Sequence, residues 1–320
     1  YGRVKAVNMD NVPSVYSSSV PAVTLPLAPA MASPPFGAVN SSSFTLSWTA
    51  GGNPQSTTYV AEISMDNFVT VPISSTTLNI QAAFTDLTPN TTYTARVKAV
   101  NFAGETGPYS SPFVSTAALA VPPQSAVSSF TLTDAGLTVQ WSAGGNPSGT
   151  RYEAEVSTRP DFAPLWSSAA VAGVSESFAL TVNTTYYARV RARNHNGIPT
   201  VGLELGSEIT YAALPAVSAS TTTGLVSVTT FSFTNTVSTG TGGILFYRTV
   251  WDKSATHAWN NQESSWTALN VLTTTATGNG YWYLHLRSYN FNKLGYKTAD
   301  IGPFQVALNT VLPPGRPVPA

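Results

Sequence analysis

Apolar and polar residues alternate along several short segments of the chain. In residues 44–49 apolar side chains occupy every second position and Thr or Ser fills the others, and residues 137–141 repeat the pattern. The segments 59–63 and 93–99 alternate in the same way. Because a period of two puts alternate side chains on opposite faces of a strand, each segment is predicted to be a strand with one buried face. Helical periodicity is not sustained anywhere in 30–213, so this part is predicted to be all-β.

The chain also repeats itself at a fixed spacing. The hexapeptide at 3–8 returns unchanged at 96–101 and, with substitutions, at 189–194. The same spacing links Trp48 to Trp141. A period near one hundred residues is too long for a solenoid unit and fits a whole domain. The chain is therefore predicted to be a string of similar domains, which usually serve structure or binding rather than catalysis.

Landmarks within the repeat resemble those of the fibronectin type III domain. Each copy has a Trp in its second strand, and the first copy carries Leu-x-Pro-x-Thr-x-Tyr at 87–93. The resemblance covers roughly 30–213 and implies an immunoglobulin-like β-sandwich fold. It further implies core positions for the two Trp residues and a tyrosine corner, in which a phenol bonds back to the backbone, in each copy. The residues concerned are Trp48 and Trp141 for the core, and Tyr93 and Tyr186 for the corners.

The second copy departs slightly from the pattern, since Val182 stands where the proline would be. A third unit is more distant and lacks both the second-strand Trp and the corner motif, but its alternating segments near 231–250 and 281–290 still favour an immunoglobulin-like sandwich. The predicted organisation is an incomplete domain supplying its last two strands at 1–25, fibronectin type III-like domains at 30–119 and 120–213, a divergent immunoglobulin-like domain at 214–308, and a Pro-rich linker or edge strand at 309–320.

The N-terminal segment 1–25 admits two interpretations. In the register of the repeat it starts inside the penultimate strand of a domain, and an isolated two-stranded hairpin is marginal in water. Either the chain is a window from a longer array, or the hairpin completes a sandwich on a neighbouring copy by strand donation. Both remain open on the sequence.

Composition excludes several classes of function. Only 9% of the residues are charged and the formal net charge is zero, so no long-range field would attract nucleic acid or an anionic membrane. There is no Cys, hence no disulfide framework or thiolate metal site. No apolar run is long enough to span a bilayer. A weakly charged surface resists close association poorly, which suits a protein that packs against copies of itself.

Candidate catalytic groups are sparse. Glu153 and Glu155 lie on one strand opposite the arginines of 189–193, and Glu62 has a similar setting in the first copy, so surface ion pairs worth a few tenths of a kcal/mol explain them. The histidines show no ligand spacing, and His285 is expected to face outward. We therefore predict no catalytic residue, no metal site and no cofactor.

Aromatic residues concentrate in the third unit. Exposed Trp side chains make sugar platforms or protein hot spots, whereas buried ones would fill the space of the missing second-strand Trp. Packing is the favoured interpretation, with ligand binding as the alternative. The Trp residues concerned are Trp251, Trp259, Trp266 and Trp282.

Three Asn residues, Asn40, Asn90 and Asn183, fit the N-glycosylation pattern. Asn90 and Asn183 are expected to be exposed at equivalent positions of the two corner loops, so sugars there are conceivable.

The leading hypothesis is a non-enzymatic extracellular or cell-surface structural protein of bacterial type. It would be a tandem β-sandwich array that builds a filament, sheath or stalk by self-association. The alternative is an adhesin or carbohydrate-binding accessory region of a larger secreted protein. Glycans are possible partners in either case.

Overall fold

A computed structural model describes residues 1–237, 244–267 and 270–308, with the side chains of 244 and 245 excepted. No helix occurs among these residues, and the fold is all-β. The predicted segment 309–320 lies outside the described residues. The chain packs into two compact units: the first contains Tyr1–Gln124 with Ala143–Tyr152 and Arg191–Gly202, and the second contains Ser125–Ser142, Glu153–Val190 and the described residues from Leu203 onward.

The strands form three consecutive β-sandwiches. The first has sheets of order β1-β2-β5 and β4-β3-β6-β7, with β8 also pairing with β6. Its strands are β1 (Ala30–Gly37), β2 (Phe44–Thr49), β3 (Thr58–Ser64), β4 (Ile73–Thr77), β5 (Gln81–Phe84), β6 (Thr92–Val100), β7 (Thr106–Tyr109) and β8 (Val114–Ala117).

The second sandwich has sheets of order β13-β10-β9 and β12-β11-β14-β15. Its strands are β9 (Gln124–Thr133), β10 (Gly136–Ser142), β11 (Arg151–Ser157), β12 (Ser167–Val171), β13 (Ser175–Ala179), β14 (Thr185–Arg193) and β15 (Leu203–Ile209).

The third sandwich has sheets of order β16-β18-β21 and β17-β23-β22-β19-β20, in which β17 runs parallel to β23. Its strands are β16 (Val217–Ala219), β17 (Gly224–Val226), β18 (Thr230–Asn235), β19 (Ile244–Asp252), β20 (Ser264–Trp266), β21 (Leu272–Thr275), β22 (Gly280–Asn290) and β23 (Gly295–Val306).

Alternation of side chains produces each core. In β2, Phe44, Leu46 and Trp48 point inward and are almost completely buried, and Tyr93 packs against Phe44 with ring centroids 5.9 Å apart. In the third sandwich Phe231 and Phe233 occupy the corresponding second strand, β18. Apolar burial of this kind is the main contribution to the stability of such a domain.

The segment 1–25 folds back on itself, but less regularly than two paired strands. It holds only isolated bridges, Gly2 to Val20 and Val7 to Pro13. Hydroxyls of Ser17 and Ser14 accept the amide protons of Val4 and Ala6, both at 3.0 Å. Because these hydroxyl oxygens replace some of the backbone carbonyl oxygens that would accept hydrogen bonds between two strands, no continuous strand forms here.

Candidate functional site

The aromatic cluster of the third sandwich is mostly core. Trp266 and Trp282 are buried, and the Trp251 ring lies 5.1 Å from Phe231 and 5.6 Å from Trp282 between centroids. Trp251 is partly buried and packs against the same core as Trp266 and Trp282, so the three side chains form no open ligand platform. Only Trp259 stands apart, half-buried with its ring 4.9 Å from that of His257.

Tyr93 and Tyr186 hold the corner loops of the first two sandwiches. The Tyr93 hydroxyl accepts the amide proton of Thr88 at 2.9 Å, and the Tyr186 hydroxyl accepts that of Thr181 at 3.2 Å. In the third sandwich Trp282 takes the equivalent place, and its Nε1 donates to the Gly278 carbonyl at 2.9 Å. An indole thus replaces the phenol as the anchor of that loop.

The expectation that Asn90 and Asn183 are exposed is wrong, because both are fully buried. The Asn90 amide donates to the Thr150 hydroxyl at 2.8 Å within the first compact unit. A glycan on either residue would have no room. Among the three acceptor patterns, only Asn40 is exposed.

His285 is on the outward-facing side of β22, as expected, but it is not exposed to solvent. Its imidazole is fully buried, with Nδ1 2.6 Å from Asp300 Oδ1 and Nε2 3.3 Å from Asp252 Oδ1. The loop after β19 covers it, since Nε2 also lies 3.1 Å from the Ser254 carbonyl oxygen. Sequence spacing could not reveal this cover. His257 Nε2 lies 3.4 Å from Glu263 Oε1 and extends the cluster.

The histidine–carboxylate cluster contains His257 and His285 with Asp252, Glu263 and Asp300. Burial favours a raised pKa for the Glu263 carboxyl, but hydrogen bonds from the amide of Asn260 and from its own amide, together with His257, outweigh burial and lower the pKa. Within the described ranges no set of three His, Cys, Asp or Glu side chains is placed to hold a metal ion. The cluster links β22 to β23 through Asp300 and to the end of β19 through Asp252.

The glutamate–arginine pairs of the first two sandwiches are more buried than the surface pairs expected from the sequence. Arg96 Nη2 lies 2.7 Å from Glu62 Oε2, and Arg189 Nε lies 2.5 Å from Glu155 Oε2. Both carboxylates are largely shielded from water. Since a buried carboxylate without its cation is costly, removal of one partner should destabilise these sheets more than removal of one partner of an exposed pair.

The Asn side chains of two Gly-Gly-Asn-Pro turns, at 51–54 and 144–147, bind the segments that lead into the first two sandwiches. Asn53 Oδ1 accepts the Leu27 amide proton at 2.8 Å, and its Nδ2 donates to the Leu27 carbonyl at 2.9 Å. Asn146 makes the same two bonds with Val121: its Oδ1 accepts the amide proton at 2.9 Å and its Nδ2 donates to the carbonyl at 2.8 Å. A Cβ at Gly51 would lie 2.4 Å from the Ala28 carbonyl oxygen, so the turn needs glycine for this close approach.

A later Asn of each sandwich, at the end of the hexapeptide in the first two and at position 290 in the third, binds the segment that enters its own sandwich. Nδ2 of Asn101 donates to the Thr24 carbonyl at 3.0 Å, that of Asn194 to Ala118 at 3.3 Å, and that of Asn290 to Thr210 at 3.2 Å. The Asn194 Oδ1 meanwhile accepts the amide protons of Asn196 and Ile198 from the following loop. One amide therefore fixes both a loop and the segment entering the sandwich.

We call these Asn contacts the linker clamps: Asn53 with Asn101, Asn146 with Asn194, and Asn290 in the third sandwich. Sequence reasoning used the recurring Asn residues as markers of the repeat but did not assign them a role. The recurrence itself was the available signal, since each recurs at the same place in its copy.

Comparison with known proteins supports part of the fold assignment. Residues 33–116 match the model of the fibronectin type III domain. A solved structure of the chicken CNTN1 FN1-FN3 domains is 16% identical, with a TM-score of 0.29, over 89% of this chain and 100% of that chain. Another, described as a myokine structure, is 19% identical with a TM-score of 0.25, over 29% of this chain and 98% of that chain. No curated protein matches.

Fibronectin type III domains are typical of extracellular or surface proteins and are generally not catalytic. The described residues include no helix of the length and apolarity needed to cross a membrane.

Proposed function

We propose that this chain is an extracellular structural protein, a tandem β-sandwich array that builds a surface filament, sheath or stalk by associating with copies of itself. Its building blocks would be the segments 30–119, 120–213 and 214–308. The observation that carries the proposal is the recurrence of the linker clamps. A binding module needs no such device, whereas a load-bearing array depends on how its connections are held.

The linker clamps restrict backbone rotation in the segments that connect the sandwiches. A hydrogen bond to a linker carbonyl contributes about 1 kcal/mol of stability. This offsets the conformational entropy that a fixed backbone residue loses, which costs a similar amount of free energy. Asn146 and Asn194 form hydrogen bonds with residues 117–121, the segment that enters the second sandwich. Pro122 and Pro123 follow this segment and stiffen the chain further. Mechanical stiffness thus comes from side-chain amides and proline together.

Self-association draws support from the surface. With 9% charged residues, little electrostatic repulsion separates two copies. The segment 1–25 also leaves apolar side chains in water, with Val4 at 73% and Val15 at 90% exposure. Such side chains gain free energy when another surface covers them.

Sedimentation velocity over a wide concentration range, followed by negative-stain electron microscopy, tests the proposal. We expect species larger than the 33.6 kDa monomer, and ordered filaments at high concentration. The double change Val4→Asp and Val15→Asp should return the protein to monomer, whereas the control Val69→Asp, at an equally exposed position of the first sandwich, should not. A monomer at every concentration would refute self-association.

The same experiment addresses the alternative of an adhesin or carbohydrate-binding accessory region. That function would give monodisperse particles at every concentration. Burial of Trp266 and Trp282, and packing of the partly buried Trp251 against the same core, weigh against an aromatic platform for this alternative.

A further inference from the structure

Two arginines face each other on the five-stranded sheet of the third sandwich. Arg248 of β19 and Arg287 of β22 are directly paired across the strands. Like charges in this arrangement destabilise a sheet. The strands at the corresponding places of the first sandwich, β3 and β6, instead set Glu62 opposite Arg96. The third sandwich therefore keeps two cations where an ion pair would be more stable.

No carboxylate neutralises this pair within the described residues. Arg248 Nη1 donates to the Glu263 carbonyl at 2.7 Å, and Arg287 Nη2 to the Gly295 carbonyl at 3.4 Å. The Nε atoms of both guanidiniums are buried without a hydrogen-bond partner. Lys293 adds a third cation beside them. Arg248 lies over the rings of Phe246 and Tyr289, at 5.5 and 5.7 Å, and Arg287 lies over that of Tyr289 at 5.8 Å. These aromatic faces offset part of the cost of burying the cations, and a bound anion would offset more of it.

The arginines line a cavity of about 340 Å³. Its wall contains the ring of Phe246, stacked on that of Tyr289 with centroids 5.0 Å apart. The Tyr289 hydroxyl donates to Asn261 Oδ1 at 2.5 Å, an arrangement that leaves the Asn261 amide hydrogens free for another acceptor. The cavity thus combines cationic donors, an uncharged donor and apolar surface.

Gly295, which has no side chain, leaves the space that the Arg287 guanidinium occupies. A Cβ on Gly295 would lie 2.7 Å from Arg287 Nε and 2.9 Å from the Tyr289 ring. Any larger residue at this position would displace the side chains that form the cavity wall. The cavity is lined by residues of β19, β22 and β23 together with Asn261, Lys293 and Leu294 from the loops.

We propose that this cavity binds an acidic sugar unit, with the sugar carboxylate held between Arg248 and Arg287. Guanidinium groups bind planar carboxylates through paired hydrogen bonds. The Asn261 amide and Lys293 are placed to meet ring hydroxyls, and Phe246 offers an apolar face to the ring. This mixture suits a uronic acid better than a peptide carboxylate. The proposal is independent of self-association, so either can fail alone.

Titration of the full chain with galacturonate and trigalacturonate, followed by NMR of the arginine Nε–H signals, tests the site directly. Because the two Nε atoms are buried, their protons should be observable and should shift saturably as the site fills. Galactose has the same ring without the carboxylate and should leave them unchanged. Equal binding of galactose, or binding of N-acetylaspartate but not of galacturonate, would overturn the proposal.

Variants separate binding from stability. Arg287→Gln should weaken trigalacturonate binding at least tenfold, and Arg287→Glu should abolish it while keeping or raising the melting temperature, because it creates a cross-strand ion pair. Lys293→Gln, at an exposed position, serves if an Arg287 variant fails to fold and should weaken binding severalfold. Lys98→Gln, on β6 of the first sandwich, removes the same charge and should change nothing. Retained binding in both Arg287→Gln and Lys293→Gln would contradict the assignment.

Discussion

The clamp at Asn194 offers the sharpest test of how the array is held together. This buried side chain accepts amide protons from Asn196 at 3.1 Å and Ile198 at 2.8 Å, and it donates to the carbonyls of Ala117 at 3.4 Å and Ala118 at 3.3 Å. Asn194→Ala removes all four contacts and leaves partly buried backbone groups without partners.

The expected loss follows from these distances. Each of the two shorter bonds contributes about 1 kcal/mol and the two longer ones about 1 kcal/mol together, which gives roughly 3 kcal/mol. For a domain of about ninety residues, a loss of that size lowers the melting temperature by roughly 12–24 °C. Calorimetry of the purified chain measures it.

The variant Asn194→Asp isolates the linker contact. It keeps the oxygens that accept from Asn196 and Ile198 but replaces the donor group with an oxygen facing the Ala117 and Ala118 carbonyls. Hydrogen exchange should then accelerate about tenfold or more at the linker amides, which are protected in the native protein by bonds such as that from Leu119 to the Asn40 carbonyl.

The control is Asn196→Asp, which introduces the same charge at an exposed position two residues away. It should leave both the melting temperature and the linker exchange unchanged. If Asn194→Asp leaves linker exchange at the native rate, the clamp does not restrain the linker, and the proposed source of stiffness is refuted.

Three further predictions concern the sandwiches themselves. Burial raises the pKa of Tyr247 to about 12, above the value of about 10 in the unfolded chain. The stability that neutral Tyr247 contributes is therefore complete below about pH 10 and is lost as the pH rises to about 12. In denaturant titrations, Tyr247→Phe should reduce this loss of stability by about 2–3 kcal/mol. Glu62→Gln removes the charged acceptor of Arg96 and should cost about 2 kcal/mol by chemical denaturation, with a loss below 0.5 kcal/mol contradicting the shielded pair. Gly144→Ala places a Cβ 2.4 Å from the Pro122 carbonyl oxygen and should lower the melting temperature by several degrees, whereas Gly149→Ala, also at positive φ but in open space, should cost less.

Alternation along the strands was enough to predict the fold class. Segments such as 44–49 and 93–99 have the period of a strand with one buried face, and the structure is all-β. The resemblance to the fibronectin type III domain came from landmarks in both copies, over roughly 30–213, and the family model matches the first copy at 33–116. Local pattern sufficed because both depend on residues that are close in sequence.

The surroundings of individual polar residues could not be predicted in the same way. Asn90 lies in a loop that looks exposed, but Thr150, sixty residues later, covers it. His285 sits on the outward face of its strand, but Ser254 and its loop close over it. Such burial depends on contacts between distant segments, and no period in the sequence records it. The facing arginines at 248 and 287 escaped notice for the same reason.

The linker clamps have a consequence for how such a chain could lengthen. Asn53 and Asn146 grip only the main chain of Leu27 and Val121, and Asn194 likewise reaches carbonyls rather than side chains. A unit that carries its own pair of amides can therefore accept almost any preceding segment. Copying one such unit next to another would create a new held connection in a single genetic event, without matched changes on both sides.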